Sequence, residues 1–379
     1  MRKRVKAIIM VLYMLLLLSG CHSSKETIQT QKDTFDINSN QPYWGDNFIK
    51  KAEKGYYYSF DSRLYFLDKK TMESVLVCTV PDCKHEDEYC SAYIGTYGNK
   101  LQYSFMDIGL EITDKYLYVM GVEESQVTDV YLYRISRDGT EKEKLFYLYS
   151  TDKNYMFYEY KMHRENLYRA VITEEKKCLE KTSLDGKVST IIDLSQYNSV
   201  CLDTIQGYGN FVYFDAGWYE DEEKKNMVSR LYRYNLDTNK VEVVLEDFIC
   251  NGYQIVDDTC IVYMDMDYNI KKKNIETGKE SIIRPTDGRY SVFSFDGNNV
   301  YFHNDIKNII EVYNLEAKNI DNIEMDSGNC YFGDSDYLFV NAIPNKNSEY
   351  SENGGLYVFD KKQIGSGEQE WKGIAYYKD

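Results

Sequence analysis

The chain has 379 residues, a formal net charge of −16, and 38 tyrosines against only 4 prolines. The acidic balance disfavours nucleic-acid binding and gives no electrostatic attraction to anionic lipid. The length suits one large repeat domain or two ordinary ones, and the aromatic, proline-poor composition favours strands over helices.

The first 20 residues are predicted to be an export signal. A basic start at residues 2–6 precedes an apolar run over residues 7–18, which only Tyr13 interrupts. A charged start, a short apolar run and a small-residue processing site are typical of a secretory signal, and the run is shorter than the ~20 residues that span a bilayer. A transmembrane anchor, or a secretory peptide followed by a chance cysteine, is the alternative interpretation.

The processing site, Leu18-Ser19-Gly20-Cys21, resembles the lipobox of bacterial lipoproteins. The resemblance implies that Cys21 is acylated and becomes the mature N-terminus, anchored in membrane lipid on the extracytoplasmic face of the cell membrane. Residues 21–42 are polar and lack apolar periodicity, which predicts a flexible tether with a reach of about 25 Å. Loss of the leader's four cations leaves a mature chain of charge −20, so we expect lipid rather than charge to hold it at the membrane.

One strand pattern recurs seven times between residues 43 and 379. In the clearest copy, aromatic residues 210–215 precede a strand at residues 230–237, a tight turn and an apolar strand at residues 241–245. Each unit contains one apolar residue that we use as its anchor, namely Leu64, Leu132, Leu179, Leu231, Ile270, Val312 and Leu356. The interval from the first anchor to the second is longer, and the later anchors are 39 to 52 residues apart. This period predicts an all-β propeller of seven four-stranded blades, with six or eight blades as alternatives. A β-sandwich or two stacked β domains is the rival architecture.

With its lipobox and these repeats, the chain resembles bacterial lipoproteins that carry TolB-like or DUF5050-like propellers. The resemblance covers most of residues 45–379 and rests on the strand pattern. It implies binding or scaffolding at the cell envelope and assigns no catalytic residues.

The first interval between anchors contains a Cys/His-rich insertion at about residues 76–100. Cys78, Cys83, His85 and Cys90 follow the spacing Cys-x4-Cys-x-His-x4-Cys. Three thiols and one imidazole match the four tetrahedral ligands of structural Zn²⁺, which would stabilise a loop without its own core. Cysteines of exported proteins also pair, so an internal disulfide is the rival interpretation, and a cluster with neither is the third.

Two weaker patterns concern cysteine and calcium. Cys250 and Cys260 end neighbouring segments and are the candidate pair for a further disulfide, whereas the other scattered cysteines suit buried apolar positions. Asp265 and Asp267 imitate the start of a calcium loop. The glycine position of such a loop holds Ile270, so we expect no calcium site there.

Two further predictions concern aromatic residues. Tyr43-Trp44 would close the last blade by pairing with residues 371–377. Aromatic residues predicted in loops could line a binding face, namely Tyr155, Tyr158, Tyr160, Trp218, Tyr219 and Tyr350.

The sequence contains no nucleophile elbow, HExxH motif, P-loop or dinucleotide fingerprint. We therefore expect a membrane-tethered, extracytoplasmic binding or scaffolding lipoprotein, with a monomeric propeller that recognises a protein, peptide or glycan through its loops. One alternative is an extracellular carbohydrate-active hydrolase or lyase. The other is an accessory subunit of a cell-envelope complex.

Overall fold

The computed structural model describes residues 49–95, 110–123, 126–150, 160–220, 227–285, 290–304, 306–324, 329–331, 336–342, 355–367 and 369–376. These residues form seven four-stranded antiparallel sheets, each from four consecutive strands. The sheets are the blades of a seven-bladed β-propeller, which confirms the predicted fold class and blade number. Cys21, the leader and the tether lie outside the described residues.

The strands follow one another in chain order through the seven blades. Blades 1 to 3 contain β1 (Ile49–Lys51), β2 (Gly55–Phe60), β3 (Arg63–Asp68), β4 (Ser74–Leu76); β5 (Glu111–Ile112), β6 (Tyr116–Glu123), β7 (Gln126–Ser136), β8 (Lys142–Ser150); and β9 (Tyr160–His163), β10 (Asn166–Ile172), β11 (Lys177–Ser183), β12 (Val188–Asp193). Blades 4 and 5 contain β13 (Asn198–Tyr208), β14 (Phe211–Tyr219), β15 (Met227–Asn235), β16 (Lys240–Glu246); and β17 (Phe248–Asp257), β18 (Cys260–Asp265), β19 (Ile270–Asn274), β20 (Glu280–Arg284). Blades 6 and 7 contain β21 (Tyr290–Phe295), β22 (Asn299–Asn304), β23 (Ile309–Asn314), β24 (Ile320–Glu324); and β25 (Asn329–Tyr331), β26 (Tyr337–Ala342), β27 (Gly355–Asp360), β28 (Trp371–Tyr376).

The predicted anchor residues all lie in the third strand of their blade. Each is buried, with no more than 3% of its surface exposed: Leu64, Leu132, Leu179, Leu231, Ile270, Val312 and Leu356. The repeat in the sequence is therefore the repeat of the blade.

Apolar cores lie between consecutive blades rather than within any one of them. Tyr213 and Leu231 of blade 4, for example, pack with Ile255 and Ile261 of blade 5. Neighbouring blades cover both faces of the inner strands of each sheet. Strands such as β2 and β18 are therefore buried along their whole length. The fourth strands carry mostly exposed side chains, as β12 and β16 show, so they form the outer edge of the ring.

The ring closes by side-chain packing between blades 7 and 1. The rings of Tyr56 and Phe339 meet edge to face at 5.0 Å, and Lys69 forms an ion pair with Asp336 nearby. One apolar cluster spans blades 7, 1 and 2. The predicted closing residues 371–377 largely coincide with β28, which pairs with β27 inside blade 7. Their proposed partner, Tyr43-Trp44, lies outside the described residues.

Helix is scarce in the described ranges. They include the 3-10 helix η1 (Lys361–Gln363), and none of their helices is long and apolar enough to cross a membrane.

Candidate metal centre

The Cys/His-rich insertion forms an irregular loop that begins where β4 ends. We call residues 77–95 the cluster loop. It brings together the side chains of Cys78, Cys83, His85 and Cys90, whose ligand atoms all lie within 4.8 Å of one another. A Zn²⁺ ion with Zn–S bonds of ~2.3 Å would hold its ligand atoms ~3.8 Å apart, and the limit of 4.8 Å places the four atoms near that spacing.

Tight turns gather the four side chains. The Cys83 N–H donates to the carbonyl of Val80 at 3.4 Å, and the Cys90 N–H donates to the carbonyl of Asp87 at 3.1 Å. His85 adopts the left-handed conformation, with φ of 59°. Its Nδ1 atom consequently lies 3.3 Å from Cys90 Sγ. Histidine is one of the residues enriched in this conformation, and here it directs the imidazole toward the thiols.

The thiols differ in how readily they ionise. Burial raises the pKa of Cys90 to about 12, and the neighbouring Cys83 thiol adds to the increase. Burial also opposes ionisation of Cys78, but hydrogen bonds from the Val80 N–H and from Cys90 and Cys83 outweigh it and lower the pKa of Cys78. A cation bound between these sulfurs would favour the thiolate form of all three cysteines.

Blade 2 holds the cluster loop through one lysine at the start of β8. The Lys142 ammonium donates to the carbonyls of Glu88 at 3.1 Å, Cys90 at 3.3 Å and Tyr93 at 2.6 Å. These bonds satisfy backbone acceptors around the most buried of the four ligands. Lys142 is a residue of the candidate site that the spacing of the cluster residues does not reveal.

Backbone contacts join the cluster loop to both blades. The Leu64 N–H of blade 1 donates to the Ala92 carbonyl at 2.8 Å, and the Val122 N–H of blade 2 donates to the Ile94 carbonyl at 3.0 Å. At Gly139, between β7 and β8, φ is +71°, and a Cβ atom would lie 2.6 Å from the Val77 carbonyl. Glycine therefore allows this turn to approach the chain just before Cys78. A metal held by the cluster would brace the junction of blades 1 and 2.

The structure contains Cys78, Cys83 and Cys90 as free thiols. Beside them, Cys90, Ala92 and Tyr93 form a small buried cluster that is separate from the cores between blades. So small a core supplies little hydrophobic stabilisation, which is the situation in which a metal or a disulfide orders a loop.

The predicted pairing of Cys250 with Cys260 is wrong. Cys260, at the start of β18, pairs with Asp257 at the end of β17. Cys250 lies near the other end of β17. Seven residues of strand correspond to about 20 Å, well beyond the reach of a disulfide. Both residues are free thiols.

Two of the aromatic residues predicted in loops are instead part of the buried framework. Tyr160 begins β9 and Trp218 lies near the end of β14, with only 5% and 2% of their surfaces exposed. Trp218 stacks on Tyr197 at 4.5 Å. β14 continues four residues beyond the aromatic segment recognised in the sequence. Tyr155, Tyr158 and Tyr350 lie outside the described residues.

The calcium-like segment at Asp265 and two further histidines, His163 and His303, lie in other blades than the cluster loop. The Asp265 carboxylate is paired with Lys271 at 2.9 Å, so a lysine holds the position that a calcium ion would need. The Nε2 atom of His163, in blade 3, lies 3.0 Å from the carbonyl oxygen of Gly209. His303 is in blade 6.

Comparisons with known proteins identify the fold alone. No family model matches the chain, and no curated protein matches it. A Mycobacterium tuberculosis puromycin-hydrolyzing peptidase superposes with a TM-score of 0.55 at 9% identity, over 90% of this chain and 55% of that one. A prolyl endopeptidase superposes with a TM-score of 0.53 at 10% identity, over 90% of this chain and 51% of that one. An oligogalacturonate lyase in complex with manganese superposes with a TM-score of 0.49 at 11% identity, over 72% of this chain and 78% of that one.

Proposed function

We propose that this chain is a lipid-anchored, extracytoplasmic protein whose propeller binds a protein, peptide or glycan. The proposal is supported by the combination of a lipobox-like sequence at residues 18–21 with a propeller whose first described strand begins at Ile49. The intervening polar residues would act as a leash, and a rigid ring would present loops for recognition.

Three buried acids of the propeller support a structural rather than catalytic use of their own charges. Glu180, Asp296 and Glu311 are each almost completely buried, and each forms an ion pair with a lysine or an arginine. A carboxylate held by a cation is a poor general acid near neutral pH because the pair favours its ionised form.

Lipid attachment is tested by metabolic labelling with an alkynyl fatty acid. The full chain should incorporate label and sediment with membranes, and Cys21→Ala should lose both properties. Cys201→Ala is the matched control and should keep both. Label retained in the Cys21→Ala chain would contradict acylation at this residue.

Recognition is tested with the full chain, purified from membranes in detergent, on peptide and glycan arrays. Reproducible binding to one class supports the binding function. Binding to neither class would contradict recognition of a peptide or glycan and favour the accessory-subunit alternative. Turnover of an arrayed glycan would favour the enzyme alternative.

The cluster residues Cys78, Cys83, His85 and Cys90 would hold a structural Zn²⁺ ion. Three soft thiolates and an imidazole form a closed ligand set that leaves no open coordination position, as structural zinc sites have. The ion would supply order to the cluster loop, while Lys142 would hold the carbonyls around Cys90.

Metal analysis of the purified full chain distinguishes the interpretations of the cluster. A structural site predicts one zinc per chain, removal by a strong chelator and a lowered thermal midpoint after removal. Co²⁺ substitution should give the thiolate charge-transfer bands of a tetrahedral site. Absence of zinc together with loss of two titratable thiols would establish the disulfide instead.

A further inference from the structure

Two free thiols lie on the first strands of neighbouring blades, Cys201 on β13 of blade 4 and Cys250 on β17 of blade 5. The two strands are in contact. Cys201 lies directly opposite Gly217 of β14 in the sheet of blade 4. Directly opposite residues direct their side chains to the same face, with Cβ atoms ~4.5–5.5 Å apart. Because Gly217 has no side chain, it leaves open space beside Cys201.

The side chain of Cys250 fills this space. A Cβ atom on Gly217 would lie 3.1 Å from Cys250 Sγ, closer than an ordinary van der Waals contact. The sulfur of blade 5 therefore lies over the sheet of blade 4, one strand away from Cys201. A change of side-chain rotamer moves a cysteine sulfur by about 3 Å, so the two sulfurs are within reach of each other.

The backbone on both sides of the two thiols is held in place. Ser229 of β15 lies opposite Gly217 and extends the row of Cys201 and Gly217 to a third strand. Its hydroxyl donates to the Phe248 carbonyl and accepts from the Phe248 N–H at 3.0 Å. Phe248 begins β17 two residues before Cys250. The row of blade 4 that contains Cys201 therefore also positions the strand that contains Cys250.

The surroundings of both sulfurs oppose ionisation. Burial is the main cause that raises the pKa of Cys201, and Asp203 adds to it by its charge and by accepting a hydrogen bond from the thiol. Cys250 and Asp215 contribute further to the raised pKa of Cys201. Burial, followed by Asp215 and Asp203, also raises the pKa of Cys250. The same two carboxylates act on both thiols, so the four side chains form one cluster.

A disulfide fits this acidic cluster better than a pair of thiols. Asp215 is fully buried. A thiolate beside it would bring like charges together, whereas a disulfide carries no charge. Because thiols with a high pKa are slow leaving groups, a bond between them also resists reduction. Disulfides persist outside the cytoplasm, where the environment is oxidising.

We propose that Cys201 and Cys250 form a disulfide that joins the inner strands of blades 4 and 5. The inference rests on the proposed extracytoplasmic location, because the oxidant is the disulfide of an exported thiol–disulfide oxidoreductase.

The reaction is a pair of thiol–disulfide exchanges. The thiolate of one cysteine attacks the oxidant's disulfide and releases one of its sulfurs, and the thiolate of the other cysteine then displaces the second. The two protons of the protein thiols pass to the two released thiolates, and the oxidant is reduced by two electrons. Since the folded chain disfavours the thiolates, we expect the bond to form during folding, before burial.

Mass spectrometry of the full chain, purified from membranes in detergent, tests the pairing. The chain is unfolded with a chelator present, alkylated without reduction, and cleaved by trypsin and an aspartate-specific protease. The second protease is needed because no lysine or arginine separates Cys250 from Cys260. A peptide pair joined through Cys201 and Cys250 is expected. Cys178 and Cys260 are also buried and should carry the alkyl group.

Thiol counts on variants give a second readout. Cys201→Ser and Cys250→Ser should each add one titratable thiol, because each leaves the other cysteine unpaired. Cys260→Ser, on the strand next to Cys250, is the matched control and should remove one thiol. Reduction should lower the thermal midpoint by about 5 °C more in the unaltered protein than in Cys250→Ser.

Each result decides a separate question. Alkylation of both Cys201 and Cys250 would overturn the disulfide, and a bond from either to a different cysteine would overturn the pairing. Free thiols in a chain that carries lipid on Cys21 would leave the proposed location standing while this inference fails. A linked pair in a chain without lipid would uphold the inference while the lipid anchor fails.

Discussion

The Lys142 ammonium of blade 2 donates a hydrogen bond of 3.3 Å to the carbonyl of Cys90, a ligand of the candidate metal centre 52 residues earlier in the chain. The same ammonium lies 4.9 Å from the centroid of the Tyr133 ring. One side chain therefore connects the cluster loop to the framework of the second blade.

Lys142→Met should loosen the cluster loop. Methionine keeps the apolar stem but leaves the three carbonyls without their charged donor, at a cost of about 2–3 kcal/mol in the free energy of unfolding. Urea unfolding measures this loss, and alkylation of the cluster thiols should become faster. Lys144→Met removes a lysine of the same strand, 4.5 Å from the Tyr131 ring, and should have a smaller effect. Equal effects of the two substitutions would contradict the bracing role of Lys142.

Cys83→Ser should lower the metal content of the chain and remove the response of its thermal midpoint to a chelator. A serine hydroxyl is a far weaker zinc ligand than a thiolate, so three ligands would remain. Cys201→Ser is the matched control, since Cys201 is also half-buried and hydrogen-bonds to Asp203, a bond that serine can keep. Normal metal content in the Cys83→Ser protein would exclude Cys83 as a ligand.

Acid should weaken the junction of blades 6 and 7. The Lys361 ammonium lies 2.8 Å from Asp296 Oδ2, and both side chains are buried. Burial raises the pKa of Asp296, but Lys361 outweighs it, with a contribution from the Tyr301 hydroxyl, and the net shift is downward. A carboxyl with a lower pKa in the folded state contributes stability above the unfolded value of about 3.9. That contribution is lost as the pH falls through the folded value.

Asp296→Asn should therefore cost about 3–5 kcal/mol at neutral pH, because Lys361 is left buried without its counter-ion. The difference from the unaltered protein should begin to shrink below about pH 4, where the carboxyl of the unfolded chain takes up a proton, and it should vanish only as the pH falls through the lower pKa of the folded state. Urea unfolding across pH measures both effects. Adding Lys361→Met should restore part of the loss. A difference that stayed constant with pH would mean that the carboxylate charge is unimportant.

Phe339→Ala should open the seam between blades 7 and 1. Removing a fully buried ring that packs on Tyr56 costs about 3–5 kcal/mol through lost burial and the cavity left behind. Asp336→Asn affects the same seam at a partly exposed ion pair with Lys69 and should cost about 1 kcal/mol or less. Comparable losses for the two variants in urea unfolding would show that the ion pair contributes as much to closing the ring as the core does.

The fold was predictable because each blade repeats a local pattern. Leu231, for example, lies on an alternating strand that pairs with its sequence neighbours, and the same pattern recurs in every unit. Trp218 was misplaced for the opposite reason. Its burial depends on Tyr197, which approaches from the preceding connection rather than from the strand itself.

The sequence by itself identified the candidate lipidation residue Cys21, predicted seven blades with six or eight as alternatives, and picked out the four residues of the candidate metal centre, because all three depend on motifs and spacing along the chain. Only the tertiary structure decided which distant side chains meet. It joined Lys142 to the cluster loop, separated Cys250 from Cys260, and placed Tyr149 of blade 2 beside Arg169 and Glu180 of blade 3. Contacts between blades depend on how neighbouring sheets pack face to face, and the strand period carries no information about that packing.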